Sequence, residues 1–208
     1  MGCGGMCADR VNGVRMSSLV EYEDAVRLAA ACRASMDGLG WGRNECFIGT
    51  RASIEVCKRL GWRSRPLTVA AFLTKMDAKV ASGTNASGAL TFTSTDTTSQ
   101  DGLFDTAWDG HLLTLVANRW LVDVTADQFS RPEHGLVQNE PIILEVDEHP
   151  VRPGSEYAGH DPASGVVIVY KVVDDDTYWT RPYWQEQDHW MPVAEHAHTL
   201  LKEDGYGL

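Results

Sequence analysis

The chain has 208 residues, of which 43% are hydrophobic and 23% charged, and its formal net charge is −11. A chain of this length can bury one sizeable core, and its composition is that of a globular protein, which excludes wholesale disorder. The negative charge disfavours a nucleic-acid partner, because it repels the phosphate backbone. No apolar run approaches the roughly 18 residues that a membrane span needs, so no membrane partner is expected.

The first residues and the cysteines indicate the compartment. Residues 1–16 are rich in glycine and lack a basic segment followed by an apolar one, so we expect a disordered tail and no secretory signal. The five cysteines are an odd number, which without export favours reduced thiols and a cytoplasmic location. Cys3 and Cys7 have no second pair of ligands at usable spacing, and no nucleotide-binding glycine motif is found. We therefore expect neither a metal nor an organic cofactor.

Two helices are predicted in the first third of the chain. Apolar residues recur at helical spacing from about residue 19 to 36 and again from about 45 to 60, where Gly61 is a natural stop. Cys32 and Cys57 belong to the apolar stripes of these helices. We interpret both as structural thiols.

The rest of the chain predicts a sheet. Strand patterns occur at 67–73, 112–116, 119–124, 141–145 and 165–173, and a short helix is predicted at 193–203. The Ser/Thr-rich segment 81–102 predicts a long loop with a short strand at 89–92, and it should border the functional site. Helices first and strands after indicate the α+β class, with N-terminal helices packed on a mostly antiparallel sheet in one domain over 17–208.

Cys46 is the strongest candidate for a nucleophile. It stands at the predicted start of the second helix, and a helix N-terminus favours the thiolate form that attacks. The turn at 117–118 predicts a hairpin that brings His111, at the start of one strand, close to Asp123, near the end of the next. Asp123 lies among apolar neighbours, where a carboxylate needs a partner, and His111 is the natural one. The pattern predicts a Cys46–His111–Asp123 triad.

Three further side chains are candidates for supporting this triad. The backbone N–H of Cys46 is the expected donor to an oxyanion, and Trp41 or Asn44 could add a side-chain donor. Gln128, five residues after Asp123, either orients the site or caps a turn. The turn is the favoured interpretation.

The triad segments resemble a known superfamily. A Cys at a helix N-terminus, followed by Gly-His-Leu-Leu-Thr-Leu-Val at 110–116 and Arg-Trp-Leu-Val-Asp-Val-Thr-Ala-Asp-Gln-Phe at 119–129, resembles the transglutaminase-like branch of the papain-fold cysteine enzymes. The Cys-Phe, His-Leu-Leu and Leu-Val-Asp-Val fragments are also similar to arylamine N-acetyltransferases. The segments 44–51 and 123–128 are similar to small uncharacterised proteins of actinobacteria and their phages. The resemblance covers roughly residues 40–130 and implies a papain-like core with Cys46 as nucleophile, His111 as base and Asp123 as its orienter.

The resemblance implies a reaction but not a substrate. Leu113 stands where transglutaminases have an aromatic residue after the His, and no Gly-Phe-Gly follows Asp123 as it would in an acetyltransferase. The implied chemistry is acyl transfer through a thioester, from a peptide, amide or acyl substrate to water or an amine. The class would be peptidase, amidase or acyltransferase. Two alternatives stay open: a catalytically inactive papain-like fold that acts as a binding protein, and a thiol redox protein that uses Cys46 or Cys57.

Overall fold

The computed structural model describes residues 20–42, 45–75, 91–93, 111–130, 132, 137–146, 150–161, 166–173 and 182–206, and the structural statements that follow concern these residues. The predicted tail at 1–16, Asn44 and most of the predicted loop at 81–102 lie outside the described residues.

Helices occupy both ends of the described chain, with strands between them. The helices are α1 (Tyr22–Gly38), α2 (Cys46–Arg59), the short α3 (Pro182–Gln185) and α4 (Gln187–Glu203). The strands are β1 (Ser64–Lys75), β2 (Thr91–Thr93), β3 (His111–Val116), β4 (Trp120–Asp123), β5 (Ile142–Glu145), β6 (Glu156–Asp161) and β7 (Val166–Val172). A 3₁₀ helix at Ala126–Phe129 follows β4. The predicted α+β class, with N-terminal helices and a mostly antiparallel sheet, is confirmed.

Two elements differ from the expectation. Helix α4 begins at Gln187, six residues before the predicted start, and contains Pro192. A proline lacks the N–H that the interior of a helix uses, so the sequence before residue 193 is a weaker helical signal. Burial of Trp190 in the first turns helps to offset that loss. Strand β6 was not predicted, because its sequence, Glu-Tyr-Ala-Gly-His-Asp, carries no apolar alternation.

The sheet is antiparallel throughout and strongly curled. The strand order is β5-β4-β3-β1-β7-β6, and β2 pairs with the far end of β1. The two outer strands of this path approach each other: Leu144 of β5 lies so close to Gly159 of β6 that a Cβ on this glycine would stand 2.6 Å from the leucine Cδ2. The sheet therefore has a concave side, which the strands nearly enclose.

The central strands β3 and β4 are buried on both faces. Their even-numbered residues, such as Leu112 and Val122, pack in one core cluster with α1, α2 and α4. Their odd-numbered residues, such as Leu113 and Leu121, pack in a second cluster with residues of β1, β6 and β7 on the concave side. Successive side chains of a strand alternate between faces. This alternation places His111 and Asp123 on the concave side, away from the body of the helix layer.

Helix α2 lies unusually close to the segment that follows β4. A Cβ on Gly49 would stand 2.3 Å from Val124 Cγ2 and 3.1 Å from Thr125 Cγ2, so only glycine fits there. At the next residue of α2, the carbonyl of Thr50 accepts a hydrogen bond from the Thr114 hydroxyl of β3, at 3.4 Å. Glycine in a helix costs some stability, and here it permits the first turn of α2 to touch the sheet. Cys46 is brought to the rim of the concave side in this way.

None of the described helices is long and apolar enough to cross a membrane.

Gly49→Ala tests this close approach. The added methyl group should push α2 away from Val124, lowering the free energy of unfolding by about 1–3 kcal/mol, as overpacking does. It should also slow alkylation of Cys46, because the thiol moves with the helix. Chemical denaturation and iodoacetamide labelling measure the two effects. Gly38→Ala is the matched control, since a Cβ there meets only His196 at 3.9 Å. Equal behaviour of the two variants would contradict the interpretation.

Candidate cysteine active site

Cys46 is the first residue of α2 and is partly buried. Its side chain packs against the cluster formed by the helices and the adjoining face of the sheet. The amides of a first helical turn point out of the helix and have no carbonyl partner within it. The Cys46 backbone N–H is therefore oriented toward the space in front of the helix, as an oxyanion donor requires.

His111 and Asp123 form a buried pair. His111 Nε2 lies 2.7 Å from Asp123 Oδ2, and each side chain is 1% exposed. The register of β3 and β4 pairs Thr114 with Val122, so His111 and Asp123 are diagonal neighbours, not direct partners. The Phe129 ring closes the site edge-on, with its centroid 4.9 Å from that of His111.

The Asp123 carboxylate receives four hydrogen bonds. Its Oδ1 accepts from the backbone N–H of Thr125 at 3.0 Å and from the Thr125 hydroxyl at 3.3 Å. Its Oδ2 accepts from His111 and, at 2.6 Å, from the hydroxyl of Tyr170 in β7. Removing an ionised carboxylate from water costs several kcal/mol unless such donors replace its hydration. The four donors replace the hydration that the Asp123 side chain loses on burial.

Cys46 and Asp123 together hold His111 in its protonated form. Burial by itself lowers the pKa of His111, since it disfavours the imidazolium. The negative charge of Asp123 and its hydrogen bond raise the pKa, as do the hydrogen bond and charge of Cys46, and the net result is a pKa of about 10. The Cys46 thiol thus lies within hydrogen-bonding reach of the imidazole, and the structure brings the three predicted residues together.

Gln128 makes a contact that the turn interpretation did not anticipate. Its Nε2 lies 2.6 Å from His111 Nδ1 and 3.3 Å from His111 Nε2, and the residue is buried. The 3₁₀ helix that carries it is tied to α1, since Arg33 Nη1 donates to Asp127 Oδ1 at 3.1 Å. The side-chain amide therefore reaches the site, and the contact agrees with the orienting role.

The Gln128 amide can accompany both protonation states of the imidazole. When Nε2–H is donated to Asp123, a neutral ring leaves Nδ1 as an acceptor, to which the amide N–H donates. When Nδ1 is protonated, the amide turned over presents its Oε1 as acceptor. Gln128 thus occupies the ring nitrogen that a thiol proton would reach.

Trp41, another residue predicted to support the triad, lies toward α4. The Trp41 ring stands edge-on to His189, with centroids 6.2 Å apart. Glu45 precedes Cys46, and burial raises the pKa of its carboxyl while the charge of His189 partly offsets that rise. The structure therefore places Trp41 beside the start of α4. Asn44 lies outside the described residues, so its role stays a prediction.

The sequence analysis did not identify Thr125, Phe129 or Tyr170 as residues of this site, and Tyr170 is the most distant of them along the chain. It follows Asp123 by 47 residues and comes from a strand two places beyond β3 in the sheet. No local spacing connects it to the triad. One signal was available: a tyrosine inside the apolar run Val-Val-Ile-Val-Tyr-Lys-Val must find a partner for its hydroxyl when it is buried.

The remaining described thiols are inert. Cys32 and Cys57 are completely buried, and burial raises the pKa of Cys32 to about 12 and that of Cys57 further still. Within the described part of the chain, no group of three or more His, Cys, Asp or Glu side chains could hold a metal ion.

Comparison of the chain with protein-family models, with curated proteins and with solved structures finds no match.

The protonation of His111 can be measured directly. Because its folded-state pKa lies above the ordinary value of 6.5, the ring should remain an imidazolium through neutral pH and lose its proton near pH 10. Its contribution to stability should be complete below about pH 6.5 and disappear as the pH rises through the folded-state value. ¹⁵N NMR of histidine-labelled protein reports the titration, with the signal assigned by His111→Gln.

Cys46→Ala is the control for that titration. It should lower the His111 pKa without returning it to the ordinary value, because Asp123 remains. A wild-type ring that titrates near or below pH 6.5 would contradict the electrostatic account.

Proposed function

We propose that this protein is a cysteine enzyme that transfers acyl groups through a thioester on Cys46. The observation that carries the proposal is the buried His111, which is bonded to Asp123 through Nε2 and lies within hydrogen-bonding reach of the Cys46 thiol. A nucleophile, a base and a group that orients the base are what covalent catalysis by a thiol needs.

The fold supports assigning the chain to the papain-like, transglutaminase-like enzymes. A nucleophile at the N-terminus of a helix faces a curled antiparallel sheet that carries the His and the Asp on adjacent strands. This arrangement is the one that the resemblance of residues 40–130 implies. The proposal covers the core architecture as well as the roles of the three residues.

The reaction would proceed in two halves. Because the high pKa of His111 favours the imidazolium, the thiol proton would already reside on Nδ1 in the resting enzyme. The Cys46 sulfur attacks the substrate carbonyl while the backbone N–H of Cys46 stabilises the oxyanion. Collapse of the tetrahedral species breaks the bond to the leaving group, to which His111 returns the proton, and a thioester remains. Water or an amine, deprotonated by His111, then attacks the thioester and releases the thiol. Atoms and charge balance without a metal or an organic cofactor.

The substrate would be a peptide, amide or acyl compound, and the class peptidase, amidase or acyltransferase. The three free thiols of the described chain, Cys32, Cys46 and Cys57, suit a reducing compartment such as the cytoplasm. The acidic net charge of −11 makes a nucleic-acid partner unfavourable.

One observation favours the second candidate, a catalytically inactive papain-like fold that acts as a binding protein. Gln128 occupies His111 Nδ1, the nitrogen that the thiol proton must reach. A permanent contact there would leave the imidazole unable to activate Cys46. A redox role for Cys57 has no such support, because that thiol is completely buried.

The reactivity of Cys46 tests the proposed enzyme. Iodoacetamide labelling of each cysteine, read by peptide mass spectrometry from about pH 4 to about pH 10, should show Cys46 reacting at least about tenfold faster than Cys32 and Cys57 near pH 5. His111→Gln should remove this advantage at low pH, because the imidazolium that stabilises the thiolate is lost. His196→Gln, in the exposed face of α4, is the matched control. If Cys46 reacts only above about pH 8.5, as an ordinary thiol does, the binding-protein candidate replaces the enzyme.

Gln128→Ala separates the two candidates further. If Gln128 supports the imidazole during catalysis, its removal should slow Cys46 labelling at neutral pH about fivefold, as expected for one hydrogen bond worth about 1 kcal/mol. If Gln128 instead blocks Nδ1, labelling should accelerate, and the inactive fold would be favoured. Gln138→Ala, in which the amide lost is an exposed one that donates to the carbonyl of Glu140, controls for the loss of an amide elsewhere.

A further inference from the structure

Tyr170 contacts the triad at Asp123 Oδ2, the same oxygen that accepts from His111. Its hydroxyl donates to Asp123 Oδ2 at 2.6 Å, and Oδ2 is also the oxygen that accepts from His111 Nε2 at 2.7 Å. The two rings lie nearly parallel, with an interplanar angle of 19° and centroids 6.3 Å apart. Tyr170 is completely buried, so this contact is not exchanged with water.

The curl of the sheet brings Tyr170 to Asp123. In the strand order, β1 and β3 lie between β7, which carries the tyrosine, and β4, which carries the carboxylate. Tyr170 is paired with Ala71 of β1, a small residue of the same concave cluster. The long tyrosine side chain therefore crosses the concave side above a small neighbour and joins the far part of the sheet to the triad.

The direction of the hydrogen bond is fixed. Burial raises the pKa of the Tyr170 hydroxyl well above 10, and the neighbouring charge of Asp123 raises it further. The hydroxyl is therefore protonated at every pH at which a cysteine enzyme works, and it donates to the carboxylate. A carboxylate oxygen that accepts a second donor shares its negative charge between the two.

We propose that Tyr170 is a positioning residue that limits the basicity of His111 by taking part of the charge of Asp123 Oδ2. An imidazolium held too firmly by its carboxylate is a poor acid and does not return its proton to a leaving group. The shared oxygen weakens that hold while keeping the carboxylate in place. This inference rests on the proposed function, since the proton it regulates is the one that moves between Cys46, His111 and the substrate.

Within the described part of the chain, few other groups influence the pKa of His111. The titratable groups that face His111 are Cys46 from α2 and Asp123 from β4, and Tyr170 from β7 faces Asp123. Gln128 contributes a neutral amide from the 3₁₀ helix. The donors of Thr125 act on the other oxygen of the carboxylate, Oδ1.

Tyr170→Phe tests the inference by removing one hydroxyl from a buried ring. With that donor gone, more of the charge of Asp123 acts on His111. The imidazolium should therefore lose its proton at a pH about 1 higher than in the wild type, the size expected for a hydrogen bond to a charged group. ¹⁵N NMR of labelled histidine measures the titration. A His111 pKa that is unchanged or lower in this variant overturns the inference.

Tyr157→Phe is the matched control. Tyr157 pairs with Tyr170 across β6 and β7 and is also buried, but its hydroxyl has no hydrogen-bond partner among the described residues. Its removal should leave the His111 titration where it is. An equal rise of the His111 pKa in both variants would indicate a general effect of losing a buried hydroxyl and would overturn the inference.

Incorporation of 3-fluorotyrosine tests the same point without removing the ring or the hydroxyl, in case Tyr170→Phe does not fold. The fluorinated phenol is the stronger donor, so it should take more of the charge of Asp123 and lower the pH at which His111 titrates. A His111 pKa that rises or does not change would contradict the proposed role of Tyr170. Iodoacetamide labelling of wild-type Cys46 is run in parallel: an ordinary thiol there overturns the proposed enzyme, whereas the NMR result alone decides the role of Tyr170.

Discussion

A carboxylate that is 1% exposed loses almost all of its hydration. In Asp123 the lost water is replaced by four hydrogen-bond donors from three parts of the chain. His111 comes from β3, Thr125 from the turn after β4, and Tyr170 from β7. Each donor is useful only if its strand holds its place in the register. The need to satisfy one buried charge therefore constrains how far the sheet curls, where β4 ends and how the segment toward the 3₁₀ helix turns. The hydrogen bonds of the candidate site therefore help to determine the fold that positions its residues.

The candidate site lies at the boundary between two separately packed cores. Cys46 packs with the helices and the face of the sheet that they cover, whereas Tyr170 belongs to the cluster on the concave side. The contact between thiol and imidazole thus depends on how the helix layer sits on the sheet. Two features fix that position close to the site: the contact of Gly49 with the residues after β4, and the ion pair of Arg33 with Asp127. Contacts that fix the helix layer in this way suit a reaction that needs its groups placed within a fraction of an ångström.

The sequence was most informative where the chemistry depends on neighbours along the chain. His111 and Asp123 are twelve positions apart on one hairpin, so turn chemistry and strand length were enough to predict their contact. The start of α2 at Cys46 followed from helical spacing and was found within one residue. Tyr170 and the contact of Gln128 with His111 could not be predicted in this way. Both depend on the curl of the sheet and on which face of β4 and β7 turns inward, and the continuous burial of β3 and β4 removes the alternation that would reveal it.

Two neighbours of the His111–Asp123 pair act on the imidazole, Tyr170 through the carboxylate and Gln128 at Nδ1. Tyr170 draws charge away from the carboxylate and so weakens the hold on the imidazolium, while Gln128 can stabilise either the neutral or the protonated ring at Nδ1. A base that must take a proton from sulfur and later return it to a leaving group needs both states to be accessible. An inert structural pair also needs donors to its buried carboxylate, so the number of contacts alone does not distinguish an enzyme from a binding protein. The contact that separates the two candidates is the one at Nδ1: a Gln128 amide that can turn over lets the imidazole exchange a proton with Cys46, whereas a permanent contact leaves a purely binding role.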